Sequence, residues 1–381
     1  MKKIIILSPA HPLRGGIASS SERLAYALQD AGNQVKIVSF SLQYPDFLFP
    51  GKTQYTDDPA PENLEIETRV NSINPLNWVA VGNALRREKP DLIIVRYWLP
   101  LMGPCLGTIL RIARANGHTK VVGLVDNAIP HEKRPGDRPF TQYFVGSVDA
   151  FLVMSRSVAD DLRQFTATKP IEFRPHPIYD NYGDKVEMAV AKKHLKLPDM
   201  EHYVLFFGFI REYKGLDILL KALADPRLAE MHVGLLLAGE YYSNQEHYEK
   251  MIADLGLEDR VISRTEFIPN EEVKYYFGAA ELVVQPYKTA TQSGISQMAY
   301  HFDKPMVVTA VGGLPEIVEH GKVGYVVPVD PQSVADAMVD YFQNNKQAAM
   351  EAGVRENKIR FSWENLVDGV EVLYAKTNKN G

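Results

Sequence analysis

Short apolar runs of strand length recur from one end of the chain to the other, and between them the apolar spacing changes to a helical period. Lys3–Ser8, Val35–Phe40, Leu92–Arg96, Val121–Val125 and Ala150–Met154 form a first series. Tyr203–Phe207, Val233–Ala238, Leu282–Gln285, Met306–Thr309 and Gly324–Val327 form a second. These runs do not alternate with polar residues, so each is expected to be buried on both faces, as in a parallel sheet covered by helices. Strand–helix alternation over 381 residues predicts a doubly wound α/β architecture, and two series predict two Rossmann-like domains facing across a ligand cleft. The polar, irregular segment His176–Met200 is the expected boundary, giving domains of residues 1–178 and 200–361. In the tail, Trp363, Leu366, Val367, Val370 and Leu373 are spaced as one helical face, which predicts a closing helix over 362–378.

Composition narrows the function. Hydrophobic residues make up 45% and charged residues 23%, the balance of a soluble globular protein with room for real cores. A net charge of −5 gives no reason to expect nucleic-acid binding. Cys105 is the single cysteine, which excludes an internal disulfide or a cysteine metal cluster, and its apolar surroundings (LMGPCLGTIL) suit a buried core residue. The opening MKKIIILSPAHP imitates a signal peptide, but its apolar run stops at Ser8-Pro9, too short for one. A cytoplasmic chain is therefore expected. Arg86, Arg87 and Lys89, with Arg111 and Arg114, form a candidate basic edge that would allow peripheral membrane contact through the first domain.

Four constellations carry chemistry. Arg14-Gly15-Gly16-Ile17 follows the first strand and opens a helix that Gly32 ends, leaving helix-start amides that favour an anion. Gly208-Phe209-Ile210-Arg211-Glu212-Tyr213-Lys214-Gly215 follows the first strand of the second series. Its planar Arg211 fork and mobile Lys214 charge suit a diphosphate. Gln292-Ser293-Gly294-Ile295 begins a further helix with free amides, and Gly312-Gly313-Leu314-Pro315-Glu316 begins another, where Glu316 complements the helix dipole. Asp126 follows a strand of the first domain, with His131 five residues on in the charged loop HEKRPGDR, where His131 and Arg134 are candidate acceptor contacts. No His/Asp/Glu spacing suggests a metal site.

The loop before KGLDILLKAL, the segment KPMVVTAVGGLPEIVEHGKVGYVVP and the closing FSWENLV helix together resemble GT-B fold glycosyltransferases of family 4. The resemblance extends over nearly the whole chain and is most specific at Phe206–Leu223 and Pro286–Pro328. It implies a retaining, metal-independent hexosyltransferase without a cofactor, acting in cell-surface polysaccharide or lipopolysaccharide biosynthesis. The second domain would hold a nucleotide sugar, the first would bind a glycan or lipid-linked acceptor, and the last helix would return to the first domain. Arg211 and Lys214 would grip the donor diphosphate, with Gly15, Gly16, Gly208, Gln292, Ser293, Gly294, Ile295 and Glu316 around the donor. The family's Arg more often follows the glycine directly, where this chain has Phe209. The family's two glutamates, separated by seven residues, are missing; they align near Ala290 and Met298, and Gln297 is the polar residue best placed to replace the second. The family often carries a His at the position of Asp126. A sugar-nucleotide 2-epimerase and a non-catalytic sugar-nucleotide-binding protein are the alternative readings.

Overall fold

The structure is a computed structural model and describes residues 1–44, 54–56, 59–130, 134–180, 182–290 and 293–379. The chain divides into two compact units, Met1–His176 with Trp363–Gly381, and Pro177–Ser362. In the first, β1 (Lys3–Leu7), β2 (Gln34–Leu42), β3 (Glu65–Asn71), β4 (Leu92–Tyr97), β5 (Lys120–Val125), β6 (Ala150–Val153) and β7 (Ile171–Phe173) form a parallel sheet in the order β3-β2-β1-β4-β5-β6-β7. In the second, β8 (His202–Phe207), β9 (Val233–Ala238), β10 (Val261–Arg264), β11 (Leu282–Gln285), β12 (Met306–Thr309) and β13 (Gly324–Val327) form a parallel sheet in the order β10-β9-β8-β11-β12-β13. The winding direction reverses between β1 and β4 and between β8 and β11, and ligands of such sheets bind at the strand carboxyl ends beside that reversal.

Central strands are buried on both faces, which is why they read as unbroken apolar runs. Every residue of β4 and of β9 is buried. Ile6 of β1 pairs in register with Ile37 of β2 and Ile94 of β4. The three strands outside the two predicted series, β3, β7 and β10, are edge strands. Glu65–Asn71 reads EIETRVN and only Val70 in it is buried, because an edge strand keeps polar side chains toward water.

The division falls between His176 and Pro177, at the start of the segment expected to hold it, and the rest of that segment, Pro177–Met200, belongs to the second unit. Its helix Met188–His194 packs against the helix Val273–Ala279 so closely that a Cβ on Gly278 would lie 2.9 Å from the Val186 carbonyl oxygen. The closing helix runs Trp363–Lys379 and belongs to the first unit. Trp363, Leu366, Val367, Val370 and Leu373 are buried in one core with Ile4, Ile6, Leu92, Val122 and Leu152. Gly369 permits that approach, since a Cβ there would lie 2.7 Å from Arg174 Cγ. Arg174 in turn pairs with Asp368 of the same helix at 2.8 Å.

Candidate active site

In the second unit the chain leaves β8 at Gly208 with φ +88°, a conformation that favours glycine. A Cβ at Gly208 would stand 3.2 Å from both Lys214 Nζ and Ile295 Cδ1, so three predicted site residues meet there. Gly239, which follows β9 with φ +127°, lies against the Gly208 backbone; its Cβ would come within 2.5 Å of the Gly208 oxygen. Residues Glu212–Lys214 make a tight turn, and Gly215 opens the helix Leu216–Leu223 with φ +70°. Its missing Cβ is needed too: the atom would stand 2.0 Å from the Pro286 oxygen, and Lys288 N–H donates to the Tyr213 carbonyl at 2.7 Å. The loop is thereby clamped to the chain leaving β11.

Lys214 is 8% exposed. Among the described residues its ammonium has neither an ion pair nor a hydrogen bond; it faces the Tyr287 ring, 5.9 Å from the centroid. Burial, and then the nearby Arg211 cation, lower its pKa to about 8. A desolvated, unpaired cation is costly unless an anion joins it. Arg211 lies three residues earlier, with its guanidinium stacked 4.1 Å from the Tyr242 ring centroid.

Beside this loop begins the helix Gly294–His301. Ser293 occupies its cap position but does not cap it: the hydroxyl donates to Gln285 Oε1 at 2.6 Å, as does Ser296 at 3.0 Å. The helix start therefore has no side-chain cap from Ser293. Gln297 is fully buried, and neither its Oε1 nor its Nε2 has a partner among the described residues; Gln285 Nε2 is likewise unpaired. A Cβ on Gly294 would meet the Tyr179 ring at 2.7 Å. Glu316 is half-buried in the four-residue helix Leu314–Ile317, where its carbonyl accepts from Arg360 at 3.3 Å.

In the first unit Gly15, at φ +114°, precedes a helix that starts at Gly16 and also lacks a side-chain cap. Asp126 follows β5 and is engaged. Arg96 Nε donates to its Oδ2 and Nη2 to its Oδ1, both at 2.7 Å, while Nη1 reaches Ser20 of the Gly16 helix at 3.0 Å. Glu22 on the same helix accepts the His11 amide at 2.6 Å, and burial raises its carboxyl pKa. His131 and Gln292 lie outside the described residues; Arg134 is exposed, and its amide donates to Asp137 at 2.6 Å. The predicted basic edge is reduced. Arg111 is held by the Gly107 and Tyr143 carbonyls and Arg114 is paired with Asp149, leaving Arg86, Arg87 and Lys89 exposed. Sequence reasoning missed Arg96, Gln285 and Tyr242. An arginine inside an otherwise apolar strand, as in LIIVRY, was the available signal for the first.

Among the described residues no group of three His, Cys, Asp or Glu side chains is placed to hold a metal ion, and no helix is long and apolar enough to cross a membrane.

The fold matches solved structures throughout its length. Sucrose-phosphate synthase from Thermosynechococcus elongatus superposes with a TM-score of 0.73 at 19% identity, covering 100% of both chains. Anabaena HepE, solved in complex with UDP-glucose, gives 0.69 at 18% identity, covering 98% of this chain and 100% of that one. Two parallel-sheet α/β units with polar groups gathered at the winding reversals are the architecture of a GT-B glycosyltransferase. Residues 14–180 match the profile described as Glycosyltransferase Family 4, and residues 201–344 match Glycosyl transferases group 1. The chain belongs to this glycosyltransferase family. D-inositol 3-phosphate glycosyltransferase 1 of Catenulispora acidiphila is 27% identical over 319 residues, 76% of this chain and 73% of that protein. The D-inositol 3-phosphate glycosyltransferase of a Nocardioides species is 30% identical over 205 residues, 50% of this chain and 45% of its own length.

Proposed function

We propose that the second unit binds a nucleotide sugar and that its glycosyl group passes to a glycan or lipid-linked acceptor held by the first unit. The reaction proceeds with retention and without a metal, in the assembly of a cell-surface glycan. The observation that carries this reading is the buried Lys214, with no ion pair or hydrogen bond among the described residues, beside Arg211 and the Gly294 helix that Ser293 leaves uncapped. Charge grows on the departing diphosphate as the sugar becomes oxocarbenium-like, and fixed donors aimed at that charge stabilise the transition state without reorganising. Gln297, with an unpaired carboxamide, takes the place of the missing ribose-binding glutamate. The leaving phosphate accepts the acceptor's proton on the face from which it departs.

Calorimetric titration with UDP and a panel of nucleotide sugars tests the reading, with donor hydrolysis followed in parallel. Removing a charge-assisted contact in Lys214→Ala or Arg211→Ala should weaken diphosphate binding about 10- to 100-fold. Unchanged affinity in both variants would sink the diphosphate grip. The names of the two relatives make D-inositol 3-phosphate an acceptor to include.

Peripheral membrane contact is supported by Ile73, Leu76 and Val79, of which Leu76 is 82% exposed, on and just before the helix Pro75–Glu88, whose far end carries Arg86 and Arg87. Cosedimentation with vesicles containing anionic phospholipid checks it, and a protein that stays in the supernatant removes it.

A further inference from the structure

We infer that Arg96 is a positioning residue for the transfer reaction, holding the Asp126 carboxylate in one orientation at the winding reversal of the first sheet. The inference rests on the reading of Asp126 as a group that touches the substrate.

β4 places Leu92 and Ile94 in the core beneath the Gly16–Asp30 helix, and Ile93, Val95 and Tyr97 in the core on the other face. Strand alternation therefore sends Arg96 toward that helix, at the carboxyl end of the strand. Leu124, its register partner on β5, points the same way, and Asp126 follows two residues later. The guanidinium is 4% exposed, the carboxylate 17%. The fork meets both carboxylate oxygens at 2.7 Å, and its remaining arm bonds to Ser20. The Asp126 amide donates to the Tyr97 carbonyl at 2.8 Å, which fixes the backbone under the side chain. Both ends of the pair are thus anchored, on β4, β5 and the first helix.

Stability alone is a poor reason for such a pair, because two well-packed apolar residues commonly serve as well as a buried ion pair. Its location supplies a better one. Each carboxylate oxygen spends one acceptor site on Arg96 and retains another, and the carboxylate is the more open partner. What remains is a fixed pair of acceptors beside the reversal between β1 and β4, suited to sugar hydroxyls and to positive charge developing on the sugar ring.

The test uses the full-length enzyme and the nucleotide sugar hydrolysed fastest in the panel above. Asp126→Asn, Arg96→Met, Arg96→Lys and the double variant Arg96→Met/Asp126→Asn are compared for kcat and donor KM. Asp126→Asn is expected to lower kcat about 100-fold. Arg96→Met should lower it nearly as far with donor KM within about twofold, and the double variant should be no slower than Asp126→Asn, as for groups acting as one unit. Arg96→Lys should restore part of kcat. Normal kcat in Arg96→Met, with Asp126→Asn impaired, would overturn the positioning role and leave Asp126 in place. Normal kcat in Asp126→Asn would overturn the reading of Asp126 itself. Should Arg96→Met not fold, Ser20→Ala removes only the third anchor; a kcat unchanged there and in Arg96→Lys counts against the inference.

Discussion

The first unit carries its charge at the sheet reversal already neutralised: Arg96 is forked onto Asp126 and tied to Ser20. At the corresponding reversal of the second unit, among the described residues, buried Lys214 has no ion pair or hydrogen bond, and Gln285 Nε2 and both polar atoms of the Gln297 amide have no partner. The two edges share a topology and differ in what they lack. A region complete in itself presents fixed polar geometry to whatever arrives, whereas an incomplete one is strained until an anion and hydrogen-bonding groups enter. Incompleteness is the better marker of where a charged ligand belongs, because evolution rarely leaves a desolvated cation alone without use for it.

The contrast predicts opposite signs for two similar deletions. Arg96→Met strands a partly buried carboxylate and should lower the first unit's unfolding free energy by about 2–4 kcal/mol in a denaturant titration. Lys214→Met removes an unpaired buried charge, and the second unit should hold or gain stability at neutral pH while losing donor affinity. If both variants destabilise equally, the distinction between closed and open edges is wrong.

Titration of Lys214 sharpens the same point. Its pKa near 8 lies below the ordinary lysine value, so charging it in the empty protein opposes folding at pH below about 8. That penalty fades as pH rises from 8 toward the unfolded value near 10.5. Donor affinity must run the other way, nearly flat below pH 8 and then weakening by up to about tenfold per pH unit as the ammonium is lost. A donor Kd constant from pH 7 to 9.5 would mean that Lys214 does not meet the phosphates.

The smallest effect belongs to Gln297. Replacing an unsatisfied buried amide with a chain of similar volume, Gln297→Met, should raise the stability of the empty protein by about 1 kcal/mol and weaken donor binding several-fold. A loss of stability would show that the amide already has a partner in the empty protein.

Most of this architecture was legible in the sequence because the inner strands are buried on both faces, and burial writes itself as unbroken runs such as VGLLLA. The edge strand β3 was not, since EIETRVN meets water and mixes polar with apolar residues. The Arg211–Lys214 loop was legible because glycines frame two cations within four residues. The bond from Arg96 to Asp126 was not, because it joins side chains brought together only by β4–β5 pairing. The Ser293–Gln285 bond was hidden for the same reason: a serine before a helix reads as a cap, and only the fold reveals that its hydroxyl turns to the neighbouring strand end instead.

The closing helix has a consequence for how the protein is born. The first unit starts at the amino terminus, yet the face of its sheet around Ile4, Ile6, Leu92 and Val122 is covered by Trp363–Leu373. All of Pro177–Ser362 must leave the ribosome before that cover exists, on the order of ten seconds or more at ordinary synthesis rates. The unit made first is therefore finished last. A nascent chain stalled before Trp363 has only the Gly16–Asp30 helix over that apolar face and is a natural client for chaperones, while the second unit, made in one piece, can fold as it emerges.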